Sequence, residues 1–345
     1  MYSNPSTVYA PIEDSPVTFT CDFPNVFKGM EEYESMADFI ERVVRPDDEY
    51  NRRCEDLVNR LKKFLENNTG LGVKRVFVGG SVGKMTSLSH YSDVDLIVFI
   101  DDYPTMVEFQ KNLDSVLQKL EQHVLHDLNW AQEVEHTRTT HHAVQFKTKL
   151  KGYTDAVLRK VDLLPALDRL DQVPMDHVYN EMKALSAKER RYYSVCFTEE
   201  QTEFVKSMPH EVRDLIRFVK YWKETNDLPV RSYFLELLVI YIWSERRQRF
   251  ETFCVCSMFK RVVYALRNIA QMEITWPDIY TSTDYSPLPP KPVLLDPMNP
   301  YNNVAPSGDD LEEIVDKSID LLIRLEDLMS KDTFEFHKDA CCVLS

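Results

Sequence analysis

Two aspartates, Asp93 and Asp95, stand one residue apart at the start of the apolar segment Leu96–Phe99. A short apolar run of this kind is typical of a buried strand. Side chains alternate between the two faces of a strand, so both carboxylates face the same side. Carboxylates held this close repel each other unless a cation lies between them, and Mg²⁺ is a hard ion that prefers oxygen ligands. The sequence therefore predicts a strand that binds a divalent metal.

A glycine turn precedes this strand. The run Gly79-Gly80-Ser81 has small residues that let backbone N–H groups approach a phosphate. It is not a Walker A loop, because Gly83 follows Gly79 too closely and Met85 stands where Ser or Thr must bind Mg²⁺. We interpret Gly80 and Ser81 as nucleotide-binding. Lys84 is a basic residue near phosphates, either those of the nucleotide or those of a bound nucleic acid.

A third carboxylate, Asp162, lies inside the apolar segment Val161–Leu164. Burying a lone acid there costs several kcal/mol, on the order of 3 or more, unless a partner or a metal compensates. A buried arginine is one such partner. Two-metal phosphoryl transfer needs a third carboxylate beside the metal that activates the attacking hydroxyl. With Asp93 and Asp95 present, we favour a metal role for Asp162.

The pattern of elements predicts an α+β fold with two lobes. Periodicity predicts helices and strands together in the first half and mainly helices after Asp171. Pro46 breaks the first helical segment, Ser35–Asn67, into two helices. We predict an N-terminal arm over 1–34, a mixed α/β catalytic lobe over 35–171, a helical C-terminal lobe over 172–332 and a tail over 333–345. The ligand site is expected in the cleft between the lobes.

Charge and cysteine content bear on partners and compartment. The net charge of −15 argues against broad non-specific binding to nucleic acid. A local cluster of lysines and arginines around Lys62 and Lys84 is either an RNA-facing patch or an ordinary solvated surface. Seven cysteines without metal-ligand spacing fit a reducing cytosol. Residues 1–20 lack the pattern of a signal peptide, so we expect a cytoplasmic protein.

Several further motifs carry a family resemblance. Over residues 35–329 the chain resembles the 2′-5′-oligoadenylate synthetases and their relatives, the cyclic GMP-AMP synthase-like receptors. The segments that resemble the family are Asp38–Glu41, Gly79–Phe99, Val161–Asp168, Cys196–Glu199, Leu215–Trp222, Leu235–Leu238 and Pro292–Pro297.

The resemblance implies a bilobal nucleotidyltransferase of the polymerase-beta-like fold and assigns roles by position. Asp93, Asp95 and Asp162 match the catalytic metal ligands, which hold two Mg²⁺ ions, with Mn²⁺ as an alternative. Matches to nucleotide-binding residues follow the turn and the helical lobe. They are Gly80, Ser81, Arg217, Lys220, Ser232 and Tyr233. Arg217 and Lys220 match residues that grip the triphosphate, and Tyr233 matches an aromatic that stacks on the base.

Two departures from the family pattern affect specificity and activation. Ser232 replaces a glutamine, and a serine cannot read a base edge bidentately, which leaves base selectivity open. On the family's double-stranded RNA face Lys206 is retained, but Thr202 and Glu211 replace basic residues. We therefore predict RNA contacts at Lys62, Lys84 and Lys206 with weaker electrostatics than is usual for the family.

The resulting interpretation is a Mg²⁺-dependent nucleotidyltransferase of innate immunity that is activated by double-stranded RNA. It would convert ATP, with other nucleoside triphosphates left open, into 2′-5′-linked oligoadenylate and pyrophosphate. A cyclic dinucleotide synthase on the same scaffold is the close alternative. An inactive RNA-binding adaptor is the alternative from another class. No stable protein partner is inferred.

The last residues, Cys342-Val343-Leu344-Ser345, fit a prenylation box. Cys341 beside it is a candidate for palmitoylation, the second anchor that stable membrane binding needs. The alternative is a chance ending, since no polybasic run precedes it. If the box is used, the protein sits on cytosolic membrane faces.

Overall fold

A computed structural model describes residues 26–32, 34–68, 70–89, 93–152, 158–247, 253–285 and 287–331. Most of the predicted arm and all of the predicted tail lie outside these ranges. Cys341 and Cys342, the proposed lipidation sites, are therefore outside the described residues.

A five-stranded sheet forms the centre of the first half. Its strands run in the spatial order β1-β2-β5-β4-β3. Only β2 and β5 pair in parallel, and the neighbouring pairs are antiparallel. The bounds are β1 Val73–Val78, β2 Val94–Ile100, β3 Ala131–Thr139, β4 Val144–Leu150 and β5 Arg159–Leu167. β2 lies inside the sheet, between β1 and β5, and its almost continuous apolar sequence fits a strand with both faces covered.

Two long helices pack on this sheet, α2 (Asp48–Asn68) and α4 (Met106–Asp127). Their apolar faces join the strands in one core, where Leu61 and Leu120 are fully buried with Val98. Thr105 caps the start of α4, since its side chain accepts a hydrogen bond from the N–H of Glu108. The helical segment before α2 ends where Pro46 predicts. Helix α1 (Met36–Phe39) continues as a π-helical turn over Ile40–Val44 and stops before the proline.

The second half is mainly helical, as the periodicity predicts. Its largest buried side chain, Trp222, packs against Phe259 beside Phe218. The helices are α5 Arg169–Gln172, α6 Met175–Lys183, α7 Ala187–Ser194, α8 Thr198–Lys206, α9 His210–Thr225, α10 Ser232–Arg247, α11 Val255–Arg267 and α12 Asp310–Lys331. Within the described ranges, no helix is long and apolar enough to cross a bilayer.

Some elements are absent from the sequence-based prediction. The edge strand β3 has mostly exposed polar residues, so it carries no apolar alternation that would indicate a strand. A small three-stranded sheet also lies in the helical half. It consists of β6 Glu273–Ile274, β7 Val293–Asp296 and β8 Asn299–Asn303. These strands are too short to show a periodicity of their own.

Two valines on α4 test which face of the helix supports the fold. Val124 is fully buried in the core, whereas Val107 is 59% exposed. We expect Val124→Ala to lower the free energy of unfolding by about 2 kcal/mol, through lost burial and a new cavity. Val107→Ala is the matched control and should change it by less than about 0.5 kcal/mol. Urea denaturation of both variants checks this, and equal losses would contradict the packing described for α4.

Candidate active site

The three predicted carboxylates meet on one face of the sheet. β2 and β5 pair in parallel so that Asp95 lies directly opposite Asp162. Asp93 immediately precedes β2, and the alternation of side chains places it on the same side as Asp95. Two adjacent strands therefore supply all three acids.

The glycine turn packs directly on Asp95. Helix α3 (Gly80–Gly83) is a single turn, and the N–H of Gly79 donates to the backbone carbonyl of Asp95 over 2.9 Å. Gly80 has a φ of +55°, in the left-handed region that favours glycine. A Cβ atom at this position would lie 1.7 Å from Oδ2 of Asp95. Only glycine at position 80 allows the turn and the carboxylate to approach this closely.

Burial raises the pKa values of all three acids, and repulsion by neighbouring acids adds to it at Asp95 and Asp93. Burial is the main cause for Asp95, followed by the charges of Asp162 and Asp93, and together they raise its pKa to about 6. Lys84 and Lys220 partly offset this rise. Burial is also the main cause of the raised pKa of Asp93 and of Asp162. A raised pKa at three neighbouring acids is the electrostatic signature of a site that favours added positive charge.

Each outer carboxylate has a partner of its own. Asp93 Oδ2 lies 3.8 Å from Nζ of Lys160, and Asp162 Oδ2 accepts a 2.6 Å hydrogen bond from Gln145. Among the residues that the structure describes, no three His, Cys, Asp or Glu side chains converge closely enough to hold one metal ion. The available ligands still fit Mg²⁺, because carboxylate oxygens are hard donors and lie in register on two strands. Burial and the neighbouring acids also disfavour the negative charge of Asp95, which a bound cation would compensate.

The buried carboxylate of Glu236, on α10, pairs with two lysines near the glycine turn. Its Oε2 lies 2.8 Å from Nζ of Lys84, and its Oε1 lies 3.4 Å from Nζ of Lys220. The hydroxyl of Thr86 also donates to Oε1 over 3.1 Å. Burial raises the pKa of Glu236, but the two lysines outweigh that effect and bring the pKa below its ordinary value. Glu236 is therefore a charged acceptor shared by both lobes.

Helix α9 holds the residues that follow α3. Nζ of Lys220 donates to the carbonyl of Thr86 over 2.9 Å, and Arg217 donates to the carbonyl of Met85 and to Asp214. Both cationic side chains are buried. Met85 has a φ of 58°, which is uncommon outside glycine. Arg217 and Lys220, which the resemblance assigns to the triphosphate, thus reach the segment after α3, where they donate hydrogen bonds to the carbonyl groups of Met85 and Thr86.

Tyr233 joins this network through both its ring and its hydroxyl. Nζ of Lys84 lies 4.0 Å from the ring centroid, and the hydroxyl donates to Asp296 over 3.0 Å. Asp296 is fully buried and also accepts hydrogen bonds from Gln201, Asn302 and the N–H of Met298. Burial raises the pKa of Asp296 in spite of these donors. Ser232 is the first residue of the same helix, α10, and is partly exposed.

Comparison with known protein families identifies the relatives of this chain. Residues 58–191 match the model of the nucleotidyltransferase domain, and residues 172–334 match that of 2′-5′-oligoadenylate synthetase 1, domain 2, C-terminus. Inactive 2′-5′-oligoadenylate synthase 1B of Rattus norvegicus is 30% identical over 306 residues, which cover 78% of this chain and 79% of that protein. The chain belongs to the 2′-5′-oligoadenylate synthase family.

Other family members are longer than this chain. It is 26% identical to 2′-5′-oligoadenylate synthase 3 of Mus musculus over 342 residues, which cover 90% of this chain and 28% of that protein. With 2′-5′-oligoadenylate synthase 2 of Homo sapiens it is 28% identical, over 79% of this chain and 40% of that protein. The chain thus spans about a quarter to two fifths of these two relatives.

Solved structures share the fold at lower identity. CdnC of E. coli MS115-1, solved with ATP, has a TM-score of 0.56 and 18% identity, over 86% of this chain and 92% of that one. The CdnE c-di-GMP synthase of Capnocytophaga granulosa has a TM-score of 0.53 and 15% identity, over 86% and 88% of the two chains. The bilobal nucleotidyltransferase fold expected from the sequence is confirmed.

The structure separates the three predicted RNA contacts. Lys84 is buried against Glu236 and Tyr233, so the expectation that it faces RNA is corrected: its ammonium is neutralised inside the protein. Lys62 is partly exposed on α2. Lys206 is exposed at the end of α8, where it pairs with Glu203 over 3.0 Å. A pair this exposed adds little stability, so the Lys206 ammonium is free to exchange partners.

Three residues of the network are missing from the sequence-based prediction of the site, namely Glu236, Asp296 and Gln145. Glu236 is a lone acid in an apolar helix, the same signal that identifies Asp162 in its strand. Asp296 likewise ends the apolar run Val293–Leu295. Gln145 has no such signal, because a polar residue in an alternating strand is ordinary.

The contact between Gly80 and Asp95 predicts a specific loss of function. Gly80→Ala would place a methyl group against the carboxylate of Asp95. We therefore expect the rate of nucleotidyl transfer to fall at least 100-fold, a loss comparable to that from removing an essential active-site side chain. Gly70→Ala is the matched control, because Gly70 has a similar φ of +60° but nothing within 4 Å of the added Cβ. It should lose about 1 kcal/mol of stability and keep its activity. Equal activity losses in both variants would contradict the contact.

The raised pKa of Asp95 predicts that the site reduces stability. Its pKa rises from 3.8 to about 6 on folding, so its charge opposes folding above pH 6. Asp95→Asn should therefore stabilise the protein by up to about 3 kcal/mol at pH 8 while abolishing activity. The gain should shrink as the pH falls below 6 and should vanish below the unfolded-state pKa of 3.8, where the carboxyl is protonated in both states. Melting temperatures measured with EDTA across this range check it. A gain that grows at low pH would contradict the assignment.

Proposed function

We propose that this chain is a Mg²⁺-dependent nucleotidyltransferase that converts ATP into 2′-5′-linked oligoadenylate and releases pyrophosphate. The observation that carries the proposal is the in-register pair Asp95 and Asp162, with Asp93 on the same face and the Gly80 turn packed against Asp95. The relatives, which are named as 2′-5′-oligoadenylate synthases, support the choice of linkage and base.

The order of the strands would place the donor nucleotide on one side of β2 and the acceptor on the other. β1 and the turn that follows it lie on one side of β2, and β5 lies on the other. Backbone N–H groups of the turn, with Ser81, would hold the donor triphosphate. Asp162 would face the attacking ribose 2′-hydroxyl. The carboxylates would hold two Mg²⁺ ions, or Mn²⁺ in their place, which supply charge neutralisation and a more acidic hydroxyl.

Three cationic side chains near the turn, Lys84, Lys220 and Arg217, would stabilise the departing pyrophosphate. Lys84 and Lys220 both lower the pKa of Asp95, so a phosphate bound beside Asp95 would also lie within their electrostatic field. Their ammonium groups bind Glu236 in this structure, and Arg217 binds Asp214. A phosphate that approaches the turn would compete with these carboxylates for the same cations. We therefore propose that Lys84 acts on nucleotide phosphate rather than on RNA.

A cyclic dinucleotide synthase is the second candidate. The observation that favours it is Ser232 on the first turn of α10, next to Tyr233, where the short hydroxyl leaves more room beside a base than a glutamine would. The inactive adaptor is disfavoured because all three acids are present on one face. Activation by double-stranded RNA remains a proposal, supported by family membership and by the exposed Lys206.

A product assay tests the proposed function. Purified protein, labelled ATP and Mg²⁺ should give a ladder of oligomers that loses its terminal phosphates to phosphatase but persists, with more product when double-stranded RNA is added. Asp162→Asn should lower turnover at least 1,000-fold, the order expected for loss of an essential catalytic group. Asp114→Asn, an equal charge change on the exposed face of α4, is the control.

Each outcome of that assay distinguishes between the proposed functions. A single phosphatase-resistant product would replace oligoadenylate by a cyclic dinucleotide. Bound RNA without any product would favour the adaptor. Full activity of Asp162→Asn would overturn the assignment of the three acids.

The lipidation and cytoplasmic location stay predictions of the sequence. Cys341 and Cys342 lie beyond the last described residue, so the geometry adds nothing to them. Prenylation, and with it a position on cytosolic membrane faces, is proposed from the last four residues alone.

A further inference from the structure

Four adjacent strands each place one polar residue in a single row across the sheet. The register pairs Asp95 with Asp162, Asp162 with Gln145, and Gln145 with Arg138. We infer that Gln145 is a positioning residue for the third catalytic carboxylate and that Arg138 acts through it. This inference rests on the proposed metal role of Asp162.

The hydrogen bonds fix the direction of this chain. Nε2 of Gln145 donates to Oδ2 of Asp162 over 2.6 Å, and Nε of Arg138 donates to Oε1 of Gln145. A guanidinium can only donate, so the amide oxygen of Gln145 must face Arg138 and its NH₂ must face Asp162. Arg138 therefore selects the one orientation of the amide that can hold the carboxylate.

A neutral donor suits this position better than a cation. The amide engages one carboxylate oxygen, Oδ2, and leaves Oδ1 available to another ligand. A lysine or arginine in direct contact would neutralise Asp162 and compete with a bound metal for it. Gln145 keeps the charge of Arg138 one side chain away. The last torsion of an aspartate is broad, so a bond to Oδ2 also limits rotation of the carboxylate plane.

The neighbouring lysine on the same face of β4 does not take part. Lys147 lies two residues from Gln145, and its Nζ pairs with Glu135 over 3.3 Å. The buried residues Val144 and Phe146 face the opposite side of the strand. Gln145 is thus the β4 side chain that holds Asp162, and Lys147 provides a matched position for a control.

Loss of this support should affect metal binding and turnover together. Residues that orient metal ligands change metal affinity or activity by about 10–100-fold when they are removed. Gln145→Met keeps the length of the side chain and removes both hydrogen bonds. We expect kcat to fall about tenfold or more, with the KM for ATP within about twofold of wild type, because the donor turn is untouched.

The test combines kinetics with a binding measurement. Mn²⁺ binding to the protein with ATP, followed by electron paramagnetic resonance, should weaken about tenfold or more in Gln145→Met. Lys147→Met should match wild type in Mn²⁺ affinity and kcat. The melting temperature should be equal in all three proteins. Wild-type Mn²⁺ affinity and kcat in Gln145→Met would overturn the inference.

A double-mutant cycle tests whether Arg138 acts through Gln145. Arg138→Met alone should lower kcat and Mn²⁺ affinity, but should add nothing in the Gln145→Met background. The same loss in both backgrounds would overturn this arm, because Arg138 would then act on Asp162 by its charge alone.

Asp162→Asn separates the two levels of the proposal. An inactive Asp162→Asn beside a fully active Gln145→Met would overturn only the positioning role. An active Asp162→Asn would overturn the metal role of Asp162, on which this inference rests.

Discussion

The proposed chemistry of this protein depends on the parallel pairing of β2 with β5, because that pairing sets Asp95 beside Asp162. Side chains in a strand repeat every two residues, so a slip of one residue would move Asp162 to the opposite face. The apolar neighbours of both acids are buried and prevent that slip. The same packing that forms the core therefore buries Asp95 and holds like charges beside it, and the raised pKa of Asp95 is the result of that burial first and of the neighbouring charges second.

Glu236 connects the helical half of the chain to the segment that follows the glycine turn. It binds Lys84 and Thr86 near the turn and Lys220 on α9, so one buried carboxylate links residues from both halves of the chain. Removing one member of such a buried network leaves an unpaired charge, which costs about 3–5 kcal/mol. The segment that follows the glycine turn is thus held to the helical half by buried ionic contacts.

Local patterns predicted β2, Asp93, Asp95 and the break at Pro46, because each depends on neighbours in the sequence. Asp162 is predicted because a single acid inside an apolar segment needs a partner or a metal. The same reasoning applies to Glu236, and it would indicate a buried cation as its partner. That partner lies 152 residues away, so Lys84 alone gave no sign of being buried. Gln145 was unpredictable for a similar reason: its role comes from register across β5, which no periodicity within β4 encodes.

The close approach of Gly80 to Asp95 also restricts the order in which this sequence can change. With the aspartate present, any side chain at position 80 collides with Oδ2. Once the acid is replaced by a smaller residue, that collision disappears and only the modest strain of a left-handed backbone remains. A lineage that abandons catalysis would therefore be expected to lose the acid first and the glycine afterwards. A descendant with a substituted glycine and a retained acid should be rare.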